Sequence, residues 1–394
     1  MAGKFNVLVL NQISPIGLNL FPVDQYTLGK SVESPDAVLV RSHDMHSMSI
    51  PDSVKAIGRA GAGTNNIPVA AMTQKGVPVF NAPGANANAV KELVLAGMLL
   101  AARNIVPALQ YVSRQTEMDD KKLAKLMEDG KKDYAGFELP NNTIGIIGLG
   151  KIGSLVADTA IKLGMNVLGY DPEITVEAAW SLPSQVKKAN SIAEVLRSSN
   201  FISLHVPLVP ATRHLINEKN LESVKDGAVL LNFSREEIVD VPAVAAALAA
   251  GKLNYYVTDF PVAGLNGNPR VIALPHLGAS TAEAEDNSAV MVVQQVRDYI
   301  ENGNVQNAVN FPNVVMSREA PFRIALANAN VPNMVGQISG VLAGAGLNIH
   351  NMLNRSRGDL AYTLVDVDSA VKPEVIAKLH EIAGVLTVRY LPRS

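Results

Sequence analysis

Thr143-Ile-Gly-Ile-Ile-Gly-Leu-Gly-Lys-Ile-Gly153 is the stretch of sequence that decides the fold. A short β-branched run leads into a turn with glycines at Gly148, Gly150 and Gly153, and a helix-like pattern follows at once. The next strand-like run ends at Asp171. This order and spacing are typical of a dinucleotide-binding site, in which a strand, a glycine turn and a helix are followed by a second strand that ends in an acid.

Each part of this motif has a physical reason. The first glycine permits the tight turn, the second lets the backbone approach a pyrophosphate, and the third allows the helix to pack closely on the strand. The start of the helix, with Lys151 and Ile152, faces the two phosphates. Asp171 can accept hydrogen bonds from ribose hydroxyls and repels a 2′-phosphate, so the motif predicts NAD as the cofactor rather than NADP.

The alternation of strand-like and helix-like runs extends over most of the 394 residues. Short apolar, β-branched runs alternate with helical patterns, which predicts α/β architecture with mostly parallel sheets. One group of runs lies before Pro83 and another between Thr143 and Pro275. The runs begin at Asn6, Ala37, Thr143, Asn166, Phe201, Ala228, Tyr255 and Val271. We therefore predict two Rossmann-like, doubly wound lobes.

Two helical stretches connect these groups. The first runs from Asn88 to about Leu126, and the second, from Ala282 to Asn302, can return the chain to the first lobe. We predict a discontinuous substrate-binding domain, a dinucleotide-binding domain and a linker, with the cleft between the lobes as the natural site. The predicted boundaries are 1–90 with 283–305, then 91–282, then 306–320.

The last part of the chain, 321–394, has a different pattern. Its strand-like and helix-like runs follow the order β-α-β-β-α-β. That order predicts a small ferredoxin-like α+β domain that completes a core by itself.

Composition excludes several classes of protein. A formal charge of -2 gives no long-range attraction to nucleic acid or an anionic membrane. The absence of cysteine excludes disulfides, thiolate metal sites and a cysteine nucleophile, and fits the cytoplasm. The longest apolar stretch, Leu93 to Ala102, is too short to cross a bilayer, and the beginning of the chain lacks the pattern of a secretory signal. No metal site is expected.

Two further motifs follow strand-like runs. Arg235, in Asn232-Phe233-Ser234-Arg235, suits a 2-oxo acid because a guanidinium grips a carboxylate with two parallel hydrogen bonds. His276, before Leu277 and Gly278, can exchange a proton with a carbonyl oxygen near neutral pH. Taken alone, an Arg after a strand is more often an ordinary surface residue, and a lone His is more often structural. Asp259, at the end of another run, could contact a nicotinamide or simply close a turn.

Together these motifs resemble the D-isomer-specific 2-hydroxy acid dehydrogenases, from about Asn6 to Asn302. The stretch GRAGAGTNNIPVAAMTQKGVPVFNAPGANANAVKEL, from Gly58 to Leu93, resembles the family's substrate-lobe signature. The resemblance implies hydride transfer at C2 of a small 2-hydroxy acid, with Arg235 binding the carboxylate and His276 handling the proton. A phosphorylated substrate is implied by the branch of the family with a similar C-terminal domain.

The resemblance also assigns binding roles. The implied substrate contacts are Arg41, Ser42, Arg59, Gly61 and Asn86. The implied cofactor contacts are Gly148, Gly150, Lys151, Ile152, Gly153, Asp171, Val206, Pro207, Asp259 and Gly278.

The sequence departs from the family at one catalytic position. The family usually has a Glu, in a pattern ending Glu-Pro, that hydrogen-bonds the catalytic His, whereas here Asp259 leads into Phe260 and Pro261 with no acid. Either His276 works unassisted, or Glu236 or Glu237 partly replaces the missing acid. The alternatives for the whole chain are another 2-hydroxy acid dehydrogenase, such as a glyoxylate or hydroxypyruvate reductase, and a non-catalytic NADH sensor on the same fold.

The C-terminal domain resembles ACT domains, which often bind amino acids between two copies. Asn330 and Asn348 match effector contacts of serine-inhibited relatives, whereas Asn328 stands where a His is usual and Asn333 where a Gly is usual. L-serine is therefore one candidate effector, and a purely structural dimerisation module is the alternative. Pairing of such domains predicts a homo-oligomer, a dimer or a tetramer.

Overall fold

A computed structural model describes residues 4–392, and the chain divides into two compact units. One unit combines 1–86 with 282–394, and the other is 87–281. The sequence-based boundaries, which also take in 1–3 and 393–394 outside the described residues, fall at 90/91 and 282/283.

The first lobe, residues 1–86, is built on a parallel sheet. Its strands lie in the order β2-β1-β3-β4-β5, so β1 lies between β2 and β3. The β3 residues are fully buried, as expected of a strand covered on both faces. The elements are β1 (Phe5–Val9), α1 (Pro15–Leu18), β2 (Tyr26–Gly29), β3 (Ala37–Val40), β4 (Ala56–Arg59), α2 (Val69–Gln74) and β5 (Val79–Phe80).

The dinucleotide lobe, residues 87–281, contains a seven-stranded parallel sheet. The elements are α3 (Ala87–Ala102), α4 (Ile105–Ser113), α5 (Asp120–Gly130), β6 (Thr143–Ile147), α6 (Lys151–Lys162), β7 (Asn166–Tyr170), α7 (Val176–Trp180), β8 (Lys187–Lys188), α8 (Ile192–Ser198), β9 (Phe201–Leu204), α9 (Glu218–Glu222), β10 (Ala228–Asn232), α10 (Val241–Ala249), β11 (Leu253–Thr258) and β12 (Val271–Ala273). The strand order is β12-β11-β10-β9-β6-β7-β8. The chain crosses from one half of the sheet to the other after β8, where open sheets of this kind bind ligands.

The predicted helical stretch from Asn88 to about Leu126 is wrong as a single element. Asn104 adopts a left-handed φ of 47° between α3 and α4, and its side chain donates to the Ala135 carbonyl and accepts from the Tyr255 hydroxyl. These bonds stabilise a conformation that ends one helix and starts another. Within residues 4–392 no single helix is both long and apolar enough to cross a membrane. The helices α3 and α4 reach that length and composition only when taken together, and the chain bends by 66° between them.

The rest of the chain begins with the helix predicted from Ala282 to Asn302. The elements are α11 (Ala282–Asn302), β13 (Phe322–Ala329), α12 (Met334–Gly344), β14 (Ile349–Arg357), β15 (Leu360–Val367), α13 (Pro373–His380) and β16 (Val385–Pro392). The last four strands form an antiparallel sheet in the order β14-β15-β13-β16. The predicted fold class, two parallel-sheet lobes and a C-terminal α+β domain, is therefore confirmed.

The segment predicted as a linker is packed rather than extended. Val305, Phe311 and Val314 are buried in the core that also holds α11, and Val305 pairs with Val314 in a β-bridge. The face of the C-terminal sheet opposite its helices packs into the same core, through residues such as Tyr362. The prediction that this domain completes a core by itself is thus correct for one face of its sheet only.

Candidate active site

The glycine turn between β6 and α6 has the geometry that its predicted roles require. Gly148 has a φ of +94°, and a Cβ there would collide with the carbonyl oxygen of His205. A Cβ at Gly153 would collide with the carbonyl oxygen of Gly148, so only glycine lets α6 pack on the turn. At Gly150 an added Cβ would meet no atom within 4 Å, which leaves space for an approaching ligand.

Asp171 ties this turn to the end of β7. Its carboxylate accepts hydrogen bonds from the backbone N–H groups of Leu149 (2.8 Å) and Glu173 (3.0 Å). A carboxylate offers about four acceptor positions, so Asp171 keeps capacity for ribose hydroxyls. Together with the open space at Gly150 and the first N–H groups of α6, these residues fit NAD.

Asp171→Ser is expected to raise KM for NAD about 10- to 100-fold, because hydrogen bonds to a charged group contribute about 1.5–3 kcal/mol. The preference for NAD over NADP should narrow, since the charge that repels a 2′-phosphate is lost. Steady-state kinetics with both cofactors measure this. Asp158→Ser is the control, because Asp158 lies on α6 in an exposed pair with Lys162 (2.6 Å). An unchanged ratio of the two KM values in Asp171→Ser would contradict the assignment.

A partly buried imidazole, that of His205, lies behind the glycine turn, and sequence reasoning missed it. The Nε2 atom of His205 lies 2.8 Å from the Ser203 hydroxyl, whereas its buried Nδ1 has no hydrogen-bond partner among the described residues. Burial lowers the pKa of His205 to about 4, so the ring is neutral at physiological pH. The neighbouring Val206 is half-buried and Pro207 is exposed on the same loop. The signal that could have found His205 is its place directly after β9.

The residues after β10 hold Arg235 in a defined backbone conformation. The fully buried Asn232 donates from Nδ2 to the Arg235 carbonyl (2.9 Å) and to the Tyr256 hydroxyl (3.2 Å). The Ser234 hydroxyl donates to the Leu204 carbonyl (2.6 Å). The exposed guanidinium of Arg235 donates to the Ser234 carbonyl (2.6 Å) and has no carboxylate partner among the described residues. Its remaining donors can bind the carboxylate of a ligand.

Asp259 folds the loop that carries His276. Its carboxylate is almost fully buried and accepts from the N–H groups of Leu277 and Gly278, both at 2.7 Å. Its carbonyl accepts from the His276 N–H (3.1 Å), and His276 takes a left-handed φ of 58°. The sequence left two roles open for Asp259, a contact with the nicotinamide, which the resemblance implies, and the closing of a turn. The structure gives it hydrogen bonds that position His276 and Gly278.

Arg235 and His276 emerge at one edge of the dinucleotide lobe. Asn232 of β10 is in register with Thr258 of β11, and neighbouring strands lie about 4.8 Å apart. The segments that follow these two strands, with Arg235 and Asp259, therefore start side by side. A carboxylate-binding cation and a titratable imidazole at the carboxyl edge of an open parallel sheet suit a small organic acid.

No carboxylate of the described residues lies within ion-pair distance of His276. Glu237 lies 3.7 Å from Arg213 instead, and Glu236 forms no pair with the imidazole. The ring of Phe260 packs edge-on against His276, with centroids 5.1 Å apart. The hypothesis that either glutamate replaces the missing acid therefore gains no support from the structure, and an aromatic contact holds the imidazole.

The substrate contacts implied by the resemblance cluster at the carboxyl edge of the first lobe. Arg41 follows β3 and Arg59 ends β4, and the Arg59 Nε donates to the Arg41 carbonyl (3.1 Å). Gly61 has a φ of +150°, and a Cβ there would collide with the Arg59 guanidinium. Asn86 ends the first lobe just before α3, and Ser42 follows Arg41. The ends of β3 and β4 thus bring two cations to one edge.

An open cavity of about 580 Å³ lies at this edge and reveals residues that sequence reasoning missed. Arg41 and Ser42 line it together with Lys30, which has no ion-pair partner among the described residues. Glu285 of α11 bonds the Arg41 Nη2 at 2.6 Å, although both side chains remain partly exposed. Lys30 follows β2 as Arg41 follows β3, so the same signal, a basic residue after a strand, could have found it.

The two asparagines predicted as effector contacts lie at opposite ends of the C-terminal sheet. Asn330 donates to the Gly358 carbonyl (3.0 Å), beside the start of β15, whereas Asn348 donates to Asp368 (2.7 Å), beyond its end. β15 runs the full length between them, and its eight residues rise about 3.3 Å each, so the two asparagines are roughly 25 Å apart. One small ligand cannot contact both within a single chain.

The structure shows the surroundings of Asn328 and Asn333, the two asparagines that differ from the residues usual at their positions. Asn328 is fully buried, where it donates to the Ala329 carbonyl and accepts from the Thr363 hydroxyl. Asn333 adopts a left-handed φ of 64° before α12, the conformation that explains why glycine is usual at this position.

The fold and the site define a dinucleotide-binding oxidoreductase for small organic acids. Residues 95–278 match the family model for the NAD-binding domain of D-isomer specific 2-hydroxyacid dehydrogenases. The chain is 34% identical to D-3-phosphoglycerate dehydrogenase of Haemophilus influenzae, over 85% of this chain and 81% of that protein. It is 36% identical to the D-3-phosphoglycerate dehydrogenase of Methanocaldococcus jannaschii, over 72% of this chain, but it spans only 53% of that relative.

The chain is also similar to a solved structure of a protein with a related name. The NAD+-bound 3-phosphoglycerate dehydrogenase of Entamoeba histolytica has a TM-score of 0.59 and 25% identity, over 78% of this chain and 99% of that one. The chain therefore belongs to the D-isomer-specific 2-hydroxy acid dehydrogenase family. The prediction of NAD as the cofactor is confirmed.

Proposed function

We propose that the protein catalyses the NAD-dependent oxidation of D-3-phosphoglycerate to 3-phosphohydroxypyruvate, the first step of serine biosynthesis. The observation that carries this proposal is the similarity to the H. influenzae D-3-phosphoglycerate dehydrogenase along most of both chains. The arrangement of Arg235 and His276, and the basic cavity with Lys30 and Arg41, agree with an anionic 2-hydroxy acid that also carries a phosphate.

In this proposal each functional group of the substrate has its own residue. Bound NAD would supply the acceptor for the hydride from C2 of the substrate. Arg235 holds the substrate carboxylate with parallel charge-assisted hydrogen bonds. His276 takes the proton from the C2 hydroxyl as the carbonyl forms, and returns it in the reverse direction. Asp259 fixes the backbone from which His276 projects, so the imidazole is positioned before the substrate binds.

Lys30→Met is expected to raise KM for D-3-phosphoglycerate about 10- to 100-fold, because one charge-assisted contact to the phosphate is lost. KM for unphosphorylated D-glycerate should stay the same within about twofold. Steady-state kinetics with both substrates measure this selectivity. Lys75→Met is the control, since Lys75 is paired with Asp52 at 2.7 Å elsewhere on the first lobe. Equal changes for both substrates would count against a phosphate contact at Lys30.

The proposed reaction is tested by following NADH absorbance across a panel of phosphorylated and plain 2-hydroxy acids. D-3-phosphoglycerate is expected to have the highest kcat/KM. A higher value for D-glycerate, or for glycolate, would indicate a glyoxylate or hydroxypyruvate reductase. Tight NADH binding with no turnover of any acid would indicate a sensor protein.

For regulation we propose that L-serine binds between the C-terminal domains of two chains. The separation of Asn330 and Asn348 supports this, because a ligand that uses both must take them from different copies. An even number of subunits follows, a dimer or a tetramer. Calorimetry of the full chain with L-serine, together with sedimentation, tests both parts. No heat with L-serine would contradict the effector, and a monomer would contradict the assembly.

We also propose the cytoplasm as the place of action. The absence of cysteine fits a reducing compartment, where disulfides do not contribute to stability. Fractionation of cells that express the full chain tests this.

A further inference from the structure

A second open cavity, of about 510 Å³, lies on the unit that contains the first lobe and the C-terminal domain. Three stretches of chain form it: the loop after β5, the packed segment around Phe311, and the hairpin between β14 and β15. The polar lining residues are Asn81, Asn307, Asn313, Ser356 and Arg357. Its volume is in the range of about 300–1,000 Å³ that is usual for small-molecule sites.

Arg357 is the one charged residue that lines this cavity. Its Nη1 donates to the Ala308 carbonyl at a long 3.3 Å, and no carboxylate of the described residues pairs with it. A guanidinium carries five N–H donors, so most of its capacity is unused. The cavity therefore has one uncompensated positive charge and no acid in its lining.

The side-chain amides that line the cavity with Arg357 provide further hydrogen-bond donors. The Asn313 Oδ1 accepts from the Asn307 N–H (2.9 Å). The Asn313 Nδ2 has no hydrogen-bond partner among the described residues. The side chain of Asn307 makes no hydrogen bond among these residues either. The N–H groups of an arginine and two amides form a site for an acceptor-rich, negatively charged ligand.

We propose that this cavity binds a small anion, a carboxylate or a phosphate, at a site separate from the substrate site. Arg357 is the charge partner, and Asn307 and Asn313 are the neutral donors. The effector residues Asn330 and Asn348 do not line this cavity, so it is also distinct from the serine site proposed above.

The wall of this cavity is connected to the substrate edge of the first lobe. Asn81 donates from Nδ2 to the Ala62 carbonyl (2.5 Å), and the next residue, Ala82, donates its N–H to the Gly61 carbonyl (2.9 Å). Gly61 and Ala62 form the turn beside Arg59. Asn307, one of the proposed ligands, accepts from the Asn81 N–H at its carbonyl (3.4 Å). An anion bound at Asn307 can therefore act through Asn81 on the turn assigned to substrate binding, and the substrate KM should change. This last consequence rests on the proposed function, whereas the binding itself does not.

The experiment uses the full chain with a single cysteine, Asp359→Cys, on the exposed hairpin. Because the chain has no other cysteine, an environment-sensitive fluorophore labels this position alone. Titration with inorganic phosphate and, separately, with malonate is expected to give a saturable response to at least one of them. Arg357→Gln in the labelled chain should weaken that response at least about 10-fold. Arg355→Gln, an exposed arginine on the same strand, should leave it within about twofold.

The two probes distinguish a phosphate site from a carboxylate site, and a response to either supports the proposal. No saturable response to either probe, or equal affinity in Arg357→Gln, would overturn it. Because fluorescence needs no turnover, a protein that failed to oxidise D-3-phosphoglycerate would still give a decisive result. In the unlabelled chain, the responsive anion should change the substrate KM in the wild type and not in Arg357→Gln.

Discussion

His276→Asn is expected to lower kcat for D-3-phosphoglycerate oxidation about 100- to 10,000-fold, the usual contribution of a positioned acid–base group. Asparagine is the appropriate replacement because it tolerates the left-handed φ of 58° at this position. The hydrogen bonds from the loop to Asp259 should therefore remain. NAD affinity, measured by calorimetry, should not change, because the amide takes the place of the imidazole without altering the glycine turn.

His214→Asn is the matched control for this variant. His214 is also exposed, also has a left-handed φ, of 50°, and lies in the same lobe outside the proposed site. Its replacement should leave kcat within about twofold. If His276→Asn kept more than about a tenth of the wild-type kcat, another group would have to carry the proton. The proposed role of His276 would then be wrong.

The residues at the strand ends were predictable because each follows a short apolar run directly. A parallel strand buried on both faces reads as an unbroken β-branched sequence, so its end is easy to locate. The fold class was predicted in this way and is confirmed. Gly148, Arg235 and His276 were located in the same way, and their roles in binding and catalysis stay predictions. For Asp259 the sequence left two roles open, since a carboxylate near a strand end can face a ligand or its own loop. The structure shows the N–H groups of Leu277 and Gly278 bound to it.

The sequence was less informative where tertiary contacts decide the structure. The strand β2 has only four residues, Tyr26–Gly29, and ends in a glycine, so its local signal is weak. Parallel pairing with β1 fixes it. The break at Asn104 depends on partners 31 and 151 residues away. The packing of one face of the C-terminal sheet on α11 also has no local signature, because apolar residues on both faces of a strand do not identify their partner.

A buried charge provides the clearest energetic test of that packing. Arg323 and Asp366, fully buried on β13 and β15, form a bidentate pair with distances of 2.5 and 2.8 Å. Arg323 also donates to the carbonyls of Asn302, Met316 and Ser317, at 2.9–3.0 Å. It therefore joins the end of α11 and the packed segment to the C-terminal sheet.

Arg323→Met is expected to lower the free energy of unfolding of this unit by about 3–5 kcal/mol, because it leaves Asp366 as a buried charge without its partner. Urea denaturation followed by circular dichroism measures the loss. Amide hydrogen exchange should show the largest loss of protection in β13 and β15, with little change in the dinucleotide lobe.

A double variant separates the pair from the rest of the network. Adding Asp366→Leu to Arg323→Met should recover part of the lost stability, because the unpaired charge is removed, but not all of it, because three carbonyls still lack a donor. Arg213→Met is the surface control: its pair with Glu237 is half-exposed and should contribute less than about 1 kcal/mol. If Arg323→Met lowered the free energy of unfolding no more than Arg213→Met does, the buried pair would not be what stabilises the packing of the C-terminal sheet on α11.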